Sequence, residues 1–258
     1  MNIIKKLMSV ALIAGIAFLS LVQNAQAQTV SKGIKNLVLV HGAFADGSSW
    51  ERVIPILQAK GFNVIAVQNP LISLEEDVAA TKRAIARMDG PVLLIGHSYG
   101  GMVITEAGND PKVKGLVYVC SLVPDEGQSV GDVTSAFPPG PGSAEFQKDA
   151  SDFLNLSSKG IHEHFAQDLP EKERSVIYAT QTPWAVKATM TKVTTAAWKT
   201  RPSWFIIGLE DHMVPTDLAR AEAKMIKAKT LELKTSHVPM LSQPDKVAAF
   251  IIRAAGEL

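Results

Sequence analysis

The sequence predicts an α/β fold in which helices cover both faces of a mostly parallel sheet. Three observations lead there: short continuous apolar runs recur along the chain, helical patterns separate them, and one run ends in a glycine-flanked serine, Gly96-His97-Ser98-Tyr99-Gly100. Continuous apolar runs are typical of strands buried on both faces, and strands that alternate with helices pair in parallel. With 47% apolar and 20% charged residues among 258, the chain can bury one large core.

The first 27 residues have the pattern of a secretory signal peptide. Lys5 and Lys6 precede an apolar stretch over residues 7–22, and Ala25-Gln26-Ala27 matches a small-residue cleavage site. Because the apolar stretch is short for a membrane span, we expect export to the periplasm or the medium, with no membrane anchor after cleavage. Cleavage takes away two lysines and no acid, so the formal net charge of +1 becomes −1. No basic patch is present, which argues against a nucleic-acid partner.

The remaining chain alternates between strand and helix patterns, apart from one long interruption. Ser73 to Glu76 has the form of a helix capping box, and Pro244 suits the first turn of the last helix. The expected elements are strands over 36–40, 63–68, 91–95, 113–119, 203–208 and 230–233, and helices over 49–60, 73–88, 216–226, from 100 and from 244.

The interruption runs from about residue 123 to 200 and contains no evident apolar strand. Its helical pieces carry large side chains, including Phe165, Trp184 and Trp198. An insertion of this length inside a compact domain is typical of a lid or a binding element. We therefore predict that it walls an apolar pocket, with Trp184 in the wall; the alternative is a satellite core under the insertion.

Ser98 is the candidate nucleophile. The pattern G-x-S-x-G, directly after a strand and before a helix, predicts a sharp turn that exposes the serine hydroxyl above the sheet. Gly96 and Gly100 flank the serine where side chains would collide with the adjoining strand and helix. The amino end of the following helix favours negative charge near Ser98.

A serine nucleophile needs a base, and the base needs an orienting acid. Among six histidines, His237 lies in a loop between the last strand and the last helix, at the sheet edge where ligands collect. Asp211 follows the strand before it and is the candidate acid. Glu210 and Asp125 remain alternative acids. His41 is expected to hold a loop.

Amide groups must stabilise the oxyanion of the tetrahedral intermediate. Tyr99, the residue after the nucleophile, is expected to supply one amide, and Ala43, in the loop after the first strand, the other. Phe44 of the same loop, Trp184 and Val238 are candidate pocket residues. We find no set of residues with metal-ligand spacing, since His162 and His164 have no third partner. The single Cys120 is expected to be a buried apolar residue.

Four segments together resemble the α/β-hydrolase superfamily: His41-Gly42-Ala43, the serine turn, Glu210-Asp211, and His237-Val238-Pro239. Within the superfamily they resemble the branch of plant methylesterases, hydroxynitrile lyases and similar bacterial esterases. The resemblance implies one domain over 28–258, with a mostly parallel sheet, flanking helices and a helical lid after the sixth strand, at about 123–200. It also implies serine hydrolysis without metal or cofactor.

The resemblance favours an exported carboxylesterase acting on small, mostly apolar esters. Lyases of this branch usually carry threonine at the position of Gly42 and lysine at that of His212, and this chain has neither. The branch's second histidine in the oxyanion loop is Ala45 here. The alternatives are a lyase or a cofactor-free oxygenase on the same scaffold, or a non-catalytic ligand-binding relative. Neither the two halves of the ester nor the oligomeric state follows from the sequence.

Overall fold

The apolar runs of the sequence form the central strands of a parallel sheet. The structure, a computed structural model, describes residues 33–258. In chain order the strands of this part are β1 (Asn36–Val40), β2 (Asn63–Ala66), β3 (Val92–His97), β4 (Val113–Val119), β5 (Phe146–Lys148), β6 (Phe153–Leu156), β7 (Trp184–Ala185), β8 (Ser203–Gly208) and β9 (Lys229–Leu233). Six of them form one sheet in the order β2-β1-β3-β4-β8-β9, and each neighbouring pair is parallel.

Helices connect the strands and cover the sheet, as the alternating pattern predicts. The α-helices of the described residues are α1 (Val53–Ala59), α2 (Leu74–Ala86), α3 (Gly100–Ala107), α4 (Val130–Thr134), α5 (Glu171–Thr180), α6 (Val186–Met190), α7 (Thr216–Met225), α8 (Pro239–Ser242) and α9 (Pro244–Gly256). Short 3₁₀ turns lie at Gly47–Trp50, Pro141–Glu145 and Ala197–Lys199, and a π-helical turn at Gly160–Phe165. None of the helices in this part of the chain is long and apolar enough to cross a membrane.

The sheet brings the candidate functional segments to one edge. β1, β3 and β8 are buried along their whole length, so both faces are covered. The loop with Ala43 follows β1, Ser98 follows β3, Asp211 follows β8 and His237 follows β9. Because parallel strands all end at the same edge, the topology alone gathers these four positions there.

The insertion between β4 and β8 differs from the expected helical lid in two respects. It contains a three-stranded antiparallel sheet, β5-β6-β7, as well as helices, and it follows the fourth strand along the described chain, not the sixth. These strands have three, four and two residues, too few to show a period-two pattern in the sequence. The expectation of six strands before the insertion came from the family resemblance, whereas the sequence itself shows four apolar runs there.

The helix expected over 49–60 is divided in two. Asp46 accepts a hydrogen bond from the Ser48 amide at 2.6 Å and caps a 3₁₀ turn that ends at Trp50, and α1 begins at Val53. Pro55 lies in the first turn of α1, where its missing N–H costs nothing. A single helix from Ser49 would place that proline in the interior and lose a hydrogen bond.

The predicted signal peptide, residues 1–27, lies outside the described residues and stays a prediction. The single-domain boundary predicted at residue 28 likewise depends on residues outside that part.

Gly101, the second residue of α3, has no room for a side chain. A Cβ there would overlap the hydroxyl oxygen of Ser121 and the carbonyl oxygen of Leu122. We expect Gly101→Ala to lower the free energy of unfolding by about 3 kcal/mol or more, since the overlapping carbonyl belongs to the backbone. Urea unfolding measures this loss. Gly256→Ala is the control, because a Cβ on Gly256 meets nothing within 4 Å; an equal loss in both variants contradicts the steric argument.

Candidate active site

Ser98 lies on the sharp turn between β3 and α3. Its φ is +54°, in the left-handed region that residues other than glycine rarely adopt. A Cβ on Gly96 would lie 2.6 Å from the carbonyl oxygen of Gly100, and a Cβ on Gly100 would lie 2.7 Å from that of Val40. The packing thus shows why glycine stands on both sides of the serine.

Left-handed backbone recurs at this edge of the sheet. Phe44 after β1 has a φ of +60°, and Cys120 after β4 has a φ of +44°. Each of these non-glycine residues costs conformational energy, and such strain concentrates at functional sites. The sequence carries no signal for it, because neither residue type favours this conformation.

Asp211 and His237 form a buried pair. The Nδ1 of His237 donates to Oδ2 of Asp211 at 2.8 Å, and both side chains are almost fully buried. Oδ1 of Asp211 accepts hydrogen bonds from the amides of Met213 (2.8 Å) and Val214 (3.0 Å). One carboxylate oxygen is therefore held by the backbone, while the other accepts the hydrogen bond from Nδ1 and fixes the orientation of the imidazole.

The alternative acids face other partners. The carboxylate of Glu210 lies 3.4 Å from the ammonium of Lys234, at the exposed surface. Asp125 pairs with Lys199 at 2.6 Å, and that hydrogen bond lowers the pKa of the Asp125 carboxyl. Of the three acids, Asp211 alone contacts His237 in the described residues.

The other histidines have identifiable contacts. His41 accepts a hydrogen bond from the Asn69 amide at 2.9 Å through Nε2, and it holds the loop after β2, as expected. Burial lowers its pKa, so it is neutral. His162 contacts the carbonyl oxygen of Ser158 at 2.8 Å, and the Nδ1 atoms of His164 and His212 are 3.2 Å apart. In residues 33–258, no group of three or more His, Cys, Asp or Glu side chains could hold a metal ion.

Most of the predicted site residues line one small cavity, which we call the inner cavity. Its volume is about 170 Å³. It brings together Ser98, His237, Ala43, Tyr99, Phe44 and Trp184, which are the candidate nucleophile, base, oxyanion and pocket residues. Val238 lies elsewhere, in the wall of a neighbouring cavity of about 420 Å³, the outer cavity. The inner cavity is mainly apolar, with Leu122, Val130 and Leu218 in its wall.

Two residues that the sequence did not single out as functional hold the backbone around His237. His97 donates from Nε2 to the carbonyl oxygen of His237 at 2.8 Å, and its ring centroid is 4.7 Å from that of His237. Burial keeps the pKa of His97 well below its usual range. Asp168, from the insertion, accepts hydrogen bonds from the amide and the hydroxyl of Ser236. Asp168 is one of many acidic residues in the sequence, so only the tertiary contact reveals it.

Tyr99 is held by a second buried carboxyl. Its hydroxyl donates to Oδ2 of Asp77 at 2.8 Å, and the Leu71 amide donates to Oδ1 at 2.8 Å. The ring of Tyr99 packs against Trp184, with centroids 4.9 Å apart. Burial raises the pKa of Asp77 from 3.8 to about 6. The first turn of α2 and the insertion therefore meet at the residue beside the nucleophile.

The raised pKa of Asp77 predicts a loss of stability as pH rises. Between about pH 4 and 6 the folded protein holds a proton on Asp77 that the unfolded chain has released. The contribution of protonated Asp77 to the free energy of unfolding is therefore complete below pH 4 and is lost as the pH rises through 6. Between pH 4 and 7, we expect Asp77→Asn to remove about 2–3 kcal/mol from the change in the free energy of unfolding. The asparagine amide stays neutral over this range and can still bond Leu71 and Tyr99. Denaturant unfolding from pH 4 to 7 measures it.

The control for this experiment is Glu171→Gln, which removes an exposed carboxylate on α5. We expect it to leave the pH dependence unchanged. If Asp77→Asn also shows the wild-type slope, Asp77 ionises normally in the folded protein and the prediction is wrong.

Fold and site together define a class of protein: a parallel α/β sheet with a strained serine turn after β3 and an Asp–His pair after β8 and β9. A profile of the Alpha/beta hydrolase family matches residues 37–250, and the chain belongs to that family.

Individual relatives agree with this assignment. The alpha/beta hydrolase nvfD of Aspergillus novofumigatus is 27% identical over 86% of this chain and 96% of its own. Methylesterase 2 of Arabidopsis thaliana is 23% identical, again over 86% and 96%. The crystal structure of a pyrethroid hydrolase from Sphingobium faniae JZ-2 superposes with a TM-score of 0.73 at 21% identity, covering 86% of this chain and 97% of that one. The family predicted from the sequence is thereby confirmed, and a methylesterase is among the relatives, as in the predicted branch.

Proposed function

We propose that this protein is a serine carboxylesterase that hydrolyses small, mostly apolar carboxylic esters through an acyl-enzyme. One observation carries the proposal: the strained Ser98 and His237, whose imidazole is hydrogen-bonded to Asp211, line the same apolar cavity. The names of two relatives, a pyrethroid hydrolase and a methylesterase, support ester hydrolysis.

In the proposed mechanism, His237 accepts the proton of the Ser98 hydroxyl through Nε2 while Ser98 Oγ attacks the ester carbonyl carbon. Asp211 holds the tautomer that leaves Nε2 unprotonated and stabilises the imidazolium that forms. The amides of Ala43 and Tyr99 donate to the oxyanion.

The same side chains form the acyl-enzyme and then hydrolyse it. The imidazolium of His237 gives its proton to the leaving alcohol, and the ester bond breaks as the carbonyl reforms on Ser98. A water molecule then loses a proton to His237 and attacks the acyl carbon. The bond to Ser98 Oγ breaks, His237 returns the proton to Ser98, and the acid is released.

The loop after β1 supports ester hydrolysis over cyanohydrin cleavage. A Cβ on Gly42 would lie 2.6 Å from Cβ of Ser98 and 3.0 Å from the carbonyl oxygen of His97. The threonine that the resemblance associates with lyases therefore has no room at position 42 in this backbone.

A fluorophosphonate probe tests the proposal. We expect it to label the folded protein at Ser98, identified by peptide mass spectrometry, and to block hydrolysis of 4-nitrophenyl acetate in proportion to labelling. A folded protein that reacts with neither reagent is the non-catalytic relative. Cyanide release from a cyanohydrin, or oxygen uptake with a heteroaromatic substrate, identifies the lyase or the oxygenase.

A further inference from the structure

The outer cavity adjoins the inner cavity that contains Ser98. Its lining comes in part from the loop after β1, including Ala45, and from the exposed helix α5, including Ile177. Phe44 and Phe165 belong to the walls of both cavities. The two spaces thus share two aromatic side chains in their walls.

These side chains are buried and packed beside the reacting groups. Phe44 is buried, and its ring lies 5.4 Å from that of Phe146 and 5.9 Å from that of Trp184. Phe165 is also buried, and its ring centroid lies 5.1 Å from that of His237. The boundary at which the two cavities meet therefore lies next to the point where the ester carbonyl would be attacked.

We propose that the two cavities bind the two halves of one ester: the inner cavity holds the acyl group, and the outer cavity holds the alcohol. This inference rests on the esterase function proposed above. The leaving oxygen must face the imidazole of His237, which returns its proton. Val238, the residue after it, and His97, whose ring centroid lies 4.7 Å from that of His237, both line the outer cavity. A group attached to the leaving oxygen therefore extends into that space.

The sizes and linings define the substrate class. The outer cavity, at about 420 Å³, is within the range that holds drug-sized groups, whereas the inner one, at about 170 Å³, is below it. Val176, Ile177 and Leu241 give the outer cavity apolar surface. Its charged side chains are three carboxylates and one ammonium: Asp46, Glu51, Glu173 and Lys172. Glu173 is paired with Arg52 at 2.7 Å, which leaves two carboxylates and one ammonium. This remaining excess of negative charge disfavours anions, so the substrates are short-chain esters of bulky, uncharged or cationic alcohols.

A tryptophan in the outer cavity tests this assignment. Ile177 is half-buried in the cavity wall on α5, so Ile177→Trp fills the space without touching the catalytic groups. With acetate esters of alcohols of increasing size, we expect kcat/KM for the bulkiest alcohols to fall about tenfold or more, while ethyl acetate stays within about twofold of wild type. Ser175→Trp, an exposed position on the same helix, is the matched control and is expected to change neither.

A second variant separates the two halves of the ester. Val130 lines the inner cavity, so Val130→Phe is expected to lower kcat/KM for ethyl esters of longer acids and to leave the alcohol series nearly unchanged. If Ile177→Trp does not fold, Val176→Trp replaces it, since Val176 is 56% exposed and also lines the outer cavity.

Several results overturn the inference. An active Ile177→Trp enzyme with an unchanged alcohol series shows that the outer cavity binds no substrate. A loss in the acyl series instead shows that the halves are reversed, and an equal loss in Ser175→Trp shows an effect on the helix alone. Failure of the esterase function itself looks different: the wild-type protein then hydrolyses no ester in either series and takes no fluorophosphonate label.

Discussion

Ser98→Ala is expected to abolish hydrolysis of 4-nitrophenyl acetate, with a loss in kcat of about 10⁴–10⁶-fold. The substitution removes the attacking oxygen but leaves the Asp211–His237 pair and the neighbouring amides in place. Because alanine must adopt the same φ of +54° that serine already adopts, no new backbone strain arises. The melting temperature should therefore stay within a few degrees of wild type. Ester turnover and thermal unfolding on the same preparation measure both effects.

Ser143→Ala is the matched control. Ser143 lines the same cavity, but its hydroxyl donates to the carbonyl oxygen of Gly140 and lies outside the serine turn. We expect this variant to keep turnover within about threefold and to retain fluorophosphonate labelling. If Ser98→Ala keeps its turnover, another group performs the attack and the proposed mechanism is refuted.

Asp211→Asn is expected to lower kcat by about 10⁴-fold with little change in stability. In the wild-type protein the amides of Met213 and Val214 donate to Oδ1 of Asp211, and the asparagine carbonyl oxygen can accept the same two hydrogen bonds. The asparagine NH₂ group then faces Nδ1 of His237 and donates to it. That contact favours the imidazole tautomer with its proton on Nε2, and such an imidazole cannot accept the proton of Ser98.

Glu210→Gln tests whether Glu210, the neighbour of Asp211 in the sequence, is the acid instead. Glu210 is exposed and lies near Lys234, so we expect kcat within about twofold of wild type. Steady-state kinetics of the two variants decides between them. A large loss in Glu210→Gln with a small loss in Asp211→Asn reverses the assignment of the acid.

The order of strands and helices was largely predictable, because the apolar runs of β1, β3, β4 and β8 are long enough to show burial on both faces. The candidate Ser98, Asp211 and His237 followed from one short motif and from chain order. The three strands of the insertion did not, since two to four residues carry no measurable period. The role of Asp168 was not predictable, because its partner, Ser236, is far from it in the chain.

The sequence by itself determined the kind of scaffold and which side chains are candidates for chemistry, because hydrophobic period and glycine spacing are local properties. The tertiary structure decided which acid faces His237 and that Phe44 and Phe165 line two adjoining cavities. It also decided the lowered pKa of His97 and the raised pKa of Asp77. Those properties depend on burial and on contacts between distant segments, and they exist only once the strands have brought those segments to one edge of the sheet.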